Sequence, residues 1–206
     1  MTQMFAIHPD NPQARLLRQA AACIESGGLV VYPTDSGYAM GCKMGHTPTL
    51  ERMRSIRQLD KTHYMTLVCR DLSSIGAYAR MTKPTFRLLK AFTPGSYTFI
   101  LSASPNIPRL MQHPKRKTSG VRVPAHHLCL SLLECLDEPL MSTSLLLPGA
   151  SSPLSEPESI RDVLGKHVDL IIDGGVCSYQ PTTVVDLTGE YPAVLRHGRG
   201  DPVPFQ

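Results

Sequence analysis

The sequence lacks the features that mark a membrane-spanning or secreted chain. None of its apolar runs approaches the about 20 residues that a helix needs to cross a bilayer. Residues 1–5 contain no basic segment leading into an apolar one, the usual form of a secretory signal. Of the 206 residues, 42% are hydrophobic and 18% are charged, which excludes a disordered or fibrous chain. We therefore expect a soluble, cytoplasmic globular protein with no membrane partner.

Several catalytic and metal-binding signatures are also missing. The six cysteines contain no CxxC pair and no Cys/His spacing typical of zinc, and the eight histidines contain no HExxH. Cys69 and Cys135 lie in apolar surroundings, so we interpret the cysteines as reduced, structural thiols and predict no metal site. The chain also lacks GxxxxGK[ST], GxGxxG and GxSxG, which are common phosphate-binding and acyl-transfer motifs.

Basic residues are unevenly distributed along the chain. The formal net charge is only +4, yet residues 109–122 contain basic side chains and no acidic ones. The basic members are Arg109, Lys115, Arg116, Lys117 and Arg122. A second basic stretch covers residues 52–61, whereas residues 156–173 are mainly acidic. Such asymmetry favours an anionic ligand on one face, and the alternative is a solvated surface of ordinary patchiness.

The predicted elements alternate between helices and strands. Helices are predicted at 11–28, from Thr47-Pro48 onward, and at 71–79, 84–92, 125–136 and 155–165. The first of them has Asn11 as its N-cap, Pro12 at its first position and an apolar stripe at Leu17, Ala20, Ala21 and Ile24. Strands are predicted at 29–32, 65–69, 97–101, 120–124, 139–147, 168–173, 182–187 and 193–197. The pattern predicts an α/β fold with an open mixed sheet, in which the last two strands are antiparallel.

Four polar segments adjoin or interrupt the predicted strands. They are PTDSGY (33–38), RQLDKTHY (57–64), VRVP (121–124) and STS (142–144). In α/β proteins, ligands bind at the carboxyl ends of strands, so we expect these segments to meet there. They supply hydroxyls and guanidinium groups, which together hold phosphate or carboxylate, and Lys115–Lys117 is expected to lie on the same rim.

Each segment also has a purely structural interpretation. Residues 142–144 are typical of a polar strand edge or a helix N-cap, and residues 34–36 of a plain turn with side-chain hydrogen bonds. Residues 115–117 are typical of a solvated loop. Arg122 lies between two valines, and a guanidinium on a buried strand needs a partner. A ligand anion and an internal carboxylate would both satisfy that need.

Seven motifs together resemble the YrdC-like family, the threonylcarbamoyl-adenylate synthases of tRNA modification. The segment VVYPTDSGYAMGC (30–42) is similar to the family pattern VxYPTxTxYGLG. It is followed in order by RQLDKTHYMTLV, PGSYTFIL, KRKTSGVRVP, EPLMSTSLLLPG, PTTVVDLT and VLRHGRGD. The likeness covers about residues 12–200, and IHPDNPQ, RQLDK, KRKTSGVRVP and STSLLLPG are closest to the YciO branch.

The resemblance implies the YrdC fold over a single domain, residues 1–206. This fold is a twisted open α/β sheet around a concave, positively charged cavity. The resemblance also implies double-stranded RNA or tRNA as partners. Family enzymes combine ATP, L-threonine and bicarbonate into threonylcarbamoyl-AMP and release pyrophosphate. An enzyme of this type is a nucleotidyltransferase, and Mg²⁺ would accompany its ATP.

The resemblance further implies roles for individual side chains. The substrate-binding set is Thr34, Ser36, Arg122, Ser142, Ser144 and Thr182, with Arg122 expected to grip a carboxylate. The nucleotide-binding set is Arg57, His63, Ser144 and Arg196. Lys115, Arg116 and Lys117 are expected to bind RNA. No general base is evident, and no catalytic residue is assigned.

Three positions depart from the family pattern. Arg57 stands where the family has a lysine, Leu59 replaces the arginine of KxRP, and Leu146 replaces the asparagine of SxN. Each lost charge-assisted contact forfeits about 1.5–3 kcal/mol of binding free energy. The sequence therefore predicts at most weak synthase activity. A non-catalytic double-stranded RNA-binding protein and an enzyme that adenylates a different substrate stay open as alternatives.

Overall fold

The computed structural model describes residues 2–60, 63, 65–108, 112–113 and 115–206. Four residues used in the sequence interpretation lie outside this part of the chain, namely Lys61, Thr62, Tyr64 and Arg109. The strands are β1 (Gln3–Ala6), β2 (Val30–Thr34), β3 (Gly37–Lys43), β4 (Thr66–Val68), β5 (Tyr97–Ser102), β6 (Thr118–Arg122), β7 (Leu140–Ser144), β8 (Leu170–Asp173), β9 (Thr183–Asp186) and β10 (Ala193–Arg196). The α-helices are α1 (Ala14–Glu25), α2 (Thr47–Arg57), α3 (Leu72–Tyr78), α4 (Lys83–Phe92), α5 (His127–Glu134) and α6 (Pro157–Leu164). A short 3₁₀ helix covers Val203–Phe205.

These strands form one ten-stranded sheet in the order β1-β8-β2-β3-β7-β4-β6-β5-β9-β10. The expected mixed character is confirmed, because β1, β2, β4 and β5 each have a parallel neighbour whereas β3 pairs antiparallel with β2 and β7. The predicted antiparallel pairing of β9 with β10 is confirmed as well. Within the described residues, no helix has the length and apolar character required to cross a membrane.

Strands β1 and β3 were not predicted from the sequence. A glycine within β3 explains why that strand was missed. The loop predicted over 33–38 is wrong at both ends, because β2 extends through Thr34 and β3 begins at Gly37. Glycine weakens a strand pattern, yet a Cβ at Gly41 would lie 2.5 Å from a Leu140 methyl and 2.8 Å from the Tyr32 ring. The missing side chain therefore lets neighbouring strands pack. The other unpredicted strand, β1, is a four-residue edge strand without a buried residue.

Helix α1 keeps its predicted face but not its predicted start. It begins at Ala14, because the backbone N–H groups of Asp10 and Asn11 donate to Nδ1 of His8 at 3.2 and 3.1 Å. These hydrogen bonds form a turn over residues that were predicted as the start of the helix. The predicted apolar stripe is confirmed, since the buried residues of the helix are Leu17, Ala20, Ala21 and Ile24.

Helices cover one face of the sheet more completely than the other. On the first face, α2, α3, α4 and α6 pack over alternate strand residues that include Val31, Leu67, Phe99, Val121 and Met141. On the second face, α1 and α5 pack over β8, β2 and β3. The strand residues beneath those two helices include Val30, Tyr32, Leu140, Leu170 and Ile172. The rest of the second face, around β4, β6, β5 and β9, carries a cavity.

Candidate ligand-binding cavity

The cavity beside α1 and α5 has a volume of about 740 Å³, within the range typical of small-molecule sites. Side chains alternate between the faces of a sheet, so every second residue of the strands forms the floor. The floor includes Thr66 and Val68 of β4, Thr98 and Ile100 of β5, Gly120 and Arg122 of β6, and Ser142 and Ser144 of β7. The site is therefore built on the sheet itself.

All nine side chains predicted for substrate and nucleotide binding line this one cavity. They are Thr34, Ser36, Arg57, His63, Arg122, Ser142, Ser144, Thr182 and Arg196. Leu59 and Leu146, the two apolar departures from the family pattern, line it as well. The sequence thus identified one spatial cluster, and the individual roles of its members stay predictions.

Arg122 has the internal carboxylate partner that its position on a strand requires. Its guanidinium forms an ion pair with Asp35 and donates from Nη1 to Oγ of Ser36 at 2.7 Å. The Arg122 and Asp35 side chains are 9% and 6% exposed, so the pair is shielded from water. Nε of Arg122 is buried and has no hydrogen-bond partner within the described residues.

Asp35 connects three separate parts of the chain at the end of the β2–β3 hairpin. One carboxylate oxygen accepts from Arg122, and the other accepts from Oγ of Ser96 at 2.7 Å. The backbone carbonyl of Asp35 accepts from the guanidinium of Arg199 in the segment after β10. The hairpin end that carries Ser36 is therefore fixed by contacts from both sides.

Paired hydroxyls form the polar part of the floor. The hydroxyls of Tyr32 and Ser142 are 2.6 Å apart, and Ser142 donates to the carbonyl of Met40 at 3.0 Å. Burial raises the pKa of Tyr32 far above its usual value, so its hydroxyl stays protonated. Thr98 and Thr182 share a hydrogen bond of 2.8 Å, and Arg196 donates to Oγ1 of Thr182 at 3.0 Å. Neutral donors and acceptors are thus held in fixed positions.

Arg57 and His63 lie beside the end of α2. Arg57 is the last residue of this helix, and the left-handed Gln58 (φ 50°) turns the chain away. Nε of Arg57 is buried and has no hydrogen-bond partner within the described residues. Desolvation, assisted by the charge of Arg57, lowers the pKa of His63, although the residue as a whole is exposed.

Two of the structural alternatives for the polar segments can now be judged. Residues 142–144 belong to β7, an interior strand between β3 and β4, so neither a sheet edge nor a helix N-cap is correct. Residues 34–36 do form a turn, in which the Ser36 N–H donates to Oγ1 of Thr34 at 3.1 Å. Both side chains also line the cavity. A turn and a candidate site therefore coincide.

The basic cluster, Lys115–Lys117, is separate from the cavity. Its three exposed residues precede β6, whereas Arg122 at the opposite end of that five-residue strand lines the cavity. At about 3.3 Å per residue, the strand separates them by about 16 Å. None of the three residues lines the cavity, and the expectation that the cluster lies on its rim stays a prediction. Binding of RNA by the cluster stays a prediction.

Other cavity residues were missed by the sequence interpretation. They include Tyr32, Asp60, Thr98, Tyr179, Pro181 and Leu195. The signal available for Thr98 was its polar position inside an apolar strand, whereas Tyr179 lies in an irregular segment with no periodic pattern. A wider depression of about 950 Å³ beside Cys23, Arg52 and Asp169 contains none of the predicted site residues.

The described residues do not form a metal-binding cluster of three or more His, Cys, Asp or Glu side chains. Asp60 is the acidic side chain that lines the cavity in this part of the chain. Its carboxylate alone does not constitute a Mg²⁺ site. A Mg²⁺ ion arriving with ATP would therefore rely on phosphate and water oxygens for its coordination.

A protein-family model named Sua5_yciO_yrdC, with the description "Telomere recombination", matches residues 22–198. The chain belongs to the Sua5/YciO/YrdC family. It is 52% identical over 205 residues to YciO of Escherichia coli (strain K12), with 100% of both proteins covered. The crystal structure of E. coli YciO matches it with a TM-score of 0.96 over 100% of both chains. The family and branch expected from the motifs are confirmed.

More distant members of the Sua5/YciO/YrdC family carry a named activity or ligand. A threonylcarbamoyl-AMP synthase of Pyrococcus abyssi (strain GE5 / Orsay) is 30% identical over 184 residues, which are 88% of this chain and 54% of that protein. The crystal structure of P. abyssi Sua5 complexed with L-threonine is 27% identical, with a TM-score of 0.87, over 96% of this chain and 58% of that one. The expected twisted open α/β sheet is confirmed, and the positive charge of the cavity stays a prediction.

Proposed function

We propose that the cavity binds an adenine nucleotide beside a small carboxylate-bearing substrate, and that the protein is a weak L-threonylcarbamoyladenylate synthase. The observation that carries the proposal is the convergence of nine predicted side chains on one cavity. Its support from relatives is the shared fold with P. abyssi Sua5, whose solved structure is a complex with L-threonine. The reaction would join ATP, L-threonine and bicarbonate and release pyrophosphate.

The polar floor supplies the donors that a carboxylate substrate needs. Arg122 retains a buried Nε–H without a partner, and Ser36 lies 2.7 Å from its Nη1. A carboxylate placed beside this guanidinium would accept a charge-assisted hydrogen bond. Because Asp35 neutralises much of the Arg122 charge, the remaining donor would provide orientation more than net attraction.

Arg57 is the side chain best suited to phosphate. Nε of its guanidinium has no hydrogen-bond partner in the described residues, and Arg57 lines the cavity. Guanidinium groups bind phosphate oxygens with two parallel hydrogen bonds. The adenylation step would occur when an oxygen of the carbamoylated threonine attacks the α-phosphorus and pyrophosphate leaves.

Such a transfer depends mainly on positioning and electrostatic stabilisation, so the lack of an obvious general base does not oppose it. Leu59 and Leu146 set the expected rate, because both line the cavity where the family pattern has polar side chains. Two missing donors reduce the stabilisation of developing phosphate charge. We therefore expect slow turnover, and an acyl substrate other than threonylcarbamate is the main alternative.

The test is release of pyrophosphate from ATP with bicarbonate and each amino acid in turn. The protein should release pyrophosphate fastest with L-threonine, and Arg57→Ala should slow release by about tenfold or more, since it removes a charge-assisted phosphate contact. Arg161→Ala is the matched control, because Arg161 is 53% exposed on α6 and does not line the cavity. Release that requires no amino acid, or that Arg57→Ala leaves unchanged, would contradict the proposal.

A second proposed activity, RNA binding, rests on the basic cluster. Lys115, Arg116 and Lys117 are consecutive and exposed, and Lys117 adopts a left-handed backbone (φ 52°) that sharpens the turn. Clustered basic side chains of this kind bind the phosphates and 2′-hydroxyls of A-form RNA. Because the cluster is outside the cavity, RNA and nucleotide would occupy different surfaces.

Replacing all three basic residues with alanine should reduce the affinity for a double-stranded RNA uniformly across sequences. It should also flatten the salt dependence of binding by up to about three units of slope. Alanine at Lys83, Arg87 and Lys90 is the matched control, because these exposed residues of α4 remove the same charge elsewhere. An unaltered salt slope, or an equal change in the control, would assign the cluster to ordinary surface.

A further inference from the structure

Tyr179 occupies a distinctive place in the wall of the cavity. It lies in the irregular segment between β8 and β9, is partly buried, and lines the cavity. The side chain rests on the backbone of Gly37, where an added Cβ would lie 3.1 Å from Cδ2 of Tyr179. Gly37 itself has φ of +105°, which L side chains rarely adopt. A glycine at the start of β3 therefore lets an aromatic ring settle against the backbone.

The position of the Tyr179 ring is not explained by a hydrogen bond of its hydroxyl group. Within the described residues, this hydroxyl forms no hydrogen bond, whereas the Tyr32 hydroxyl pairs with Ser142 and the Tyr38 hydroxyl donates to Gly175 at 2.7 Å. The aromatic surface of Tyr179, partly open to the cavity, is thus the part of the side chain available for binding.

Leu146 and Arg57 accompany this ring. In the β3–β7 pairing, Ala39 is opposite Ser144, and the Leu145 N–H donates to the Tyr38 carbonyl at 3.0 Å. The same register brings Leu146 level with Gly37, the residue that supports Tyr179. Burial lowers the pKa of Arg57, and the neighbouring Tyr179 opposes that effect. An aromatic ring, an apolar side chain and a cation therefore line the same cavity.

We infer that Tyr179 is the residue that selects a nucleotide, by stacking on a planar nucleobase while Arg57 holds the attached phosphate. The inference rests on the proposed nucleotide-binding function and adds its specificity determinant. A base has two apolar faces and little charge, which suits the Tyr179 ring better than a sugar or a second phosphate would. Arg57 is available for the phosphate, because the ring and the guanidinium line the same cavity.

The experiment compares two ligands that differ only by the base, AMP and ribose 5-phosphate, in calorimetric titrations. The wild-type protein should prefer AMP, and Tyr179→Ala should reduce that preference by about tenfold while affecting ribose 5-phosphate little. Tyr179→Phe should keep the preference, because it retains the ring. Tyr191→Ala is the matched control, since Tyr191 is 76% exposed and does not line the cavity.

A fluorescence measurement tests the same role of Tyr179 without the Tyr179→Ala variant. The chain contains no tryptophan, so Tyr179→Trp would introduce a single indole whose fluorescence AMP should quench and ribose 5-phosphate should not. If the wild type binds neither ligand, the nucleotide function itself fails. If the wild type prefers AMP but Tyr179→Ala keeps that preference, or the indole does not respond, the role of Tyr179 is overturned and the nucleotide function stands.

Discussion

The two halves of one sheet face differ sharply in the side chains they present. Under α1 and α5, the strands present Val30, Leu140, Leu170 and Ile172, which pack into an apolar core. Beyond those helices, neighbouring strands present Thr66, Thr98, Gly120 and Arg122 to the cavity. The backbone alternation is the same in both halves, so the presence of a covering helix decides which side chains are tolerated. A polar inward position on an interior strand therefore marks the uncovered half.

Strand β7 passes from one half to the other. On a single face it carries Leu140, which is fully buried against α1 and α5, then Ser142, then the exposed Ser144. Ser142 lies at the boundary, where its hydroxyl is 2.6 Å from that of Tyr32. Stability should therefore depend on the covered half, and ligand affinity on the open half.

The largest expected effect is at Arg122, a residue of the open half whose substitution should change both stability and ligand binding. Arg122→Ala should reduce the free energy of unfolding by about 3–5 kcal/mol, because it leaves the buried Asp35 carboxylate without its cation. It should also weaken ligand binding. Thermal unfolding and calorimetric titration measure the two effects separately.

The matched variant for Arg122→Ala is the double change with Asp35→Asn. The neutral amide removes the unpaired charge, so part of the lost stability should return while ligand affinity stays low. An unchanged melting temperature and unchanged affinity in Arg122→Ala would remove this ion pair from both the fold and the site.

A comparison within β7 sharpens the division. Leu140→Ala should cost about 2–5 kcal/mol, since it opens a cavity in the covered half. Ser144→Ala should change stability by less than about 0.5 kcal/mol, because the residue is exposed at the open end of the strand. Urea denaturation checks both values. Equal losses at the two positions would show that the open half carries as much of the stability as the covered half.

The third prediction restores polarity to the open half. Leu59→Arg combined with Leu146→Asn should raise threonine- and bicarbonate-dependent pyrophosphate release by about tenfold, because preorganised donors stabilise developing phosphate charge. Each single change should be assayed as well, since contacts in one pocket need not add. A folded double variant that binds ATP without faster release would show that these two leucines do not limit turnover.

The smallest effect concerns pH. Desolvation and the charge of Arg57 lower the pKa of His63, so the folded state favours the neutral imidazole. Above pH about 6.5, the pKa of histidine in the unfolded chain, the imidazole is neutral in both states and its lowered pKa does not change the stability. Below that pH, protonation favours the unfolded state, so the stability falls until the pH reaches the lower pKa of the folded state. His63→Gln should therefore make stability decline less steeply as the pH falls below about 6.5. A matching change at the exposed His197 should leave the decline as it is, and an unaltered profile in His63→Gln would contradict the expectation.

Sequence patterns predicted the parts of this fold that local chemistry determines. The apolar stripe of α1 and the pairing of β9 with β10 follow from spacing within a short stretch. β6 was placed too late, at 120–124, because Thr118 and Ser119 look like loop residues although both are buried in the strand. Consecutive strand residues point to opposite faces of a sheet, and no local pattern shows that both faces are buried at Thr118 and Ser119.

The sequence predicted which residues form the site but not the contacts between them. The family resemblance named Arg122 and Ser36, yet the contacts of Arg122 with Ser36 and with Asp35 span 86 and 87 residues of sequence. No local pattern reports which carboxylate an arginine will meet at that distance. Tyr179 was missed for the same reason, because its significance comes from Gly37 in another part of the chain.

The contacts of Asp35 also bear on how the molecule folds. Its partners Ser96, Arg122 and Arg199 are 61, 87 and 164 residues away along the chain. Contacts between distant residues form slowly, because the loop between them must close, with a loss of entropy, before the contact can stabilise the fold. The β2–β3 hairpin can form early, but its end acquires these three partners only after the remote segments have docked. We therefore expect binding competence to appear later in refolding than the bulk of the β-structure, as a kinetic phase that ligand fluorescence would detect and circular dichroism would not.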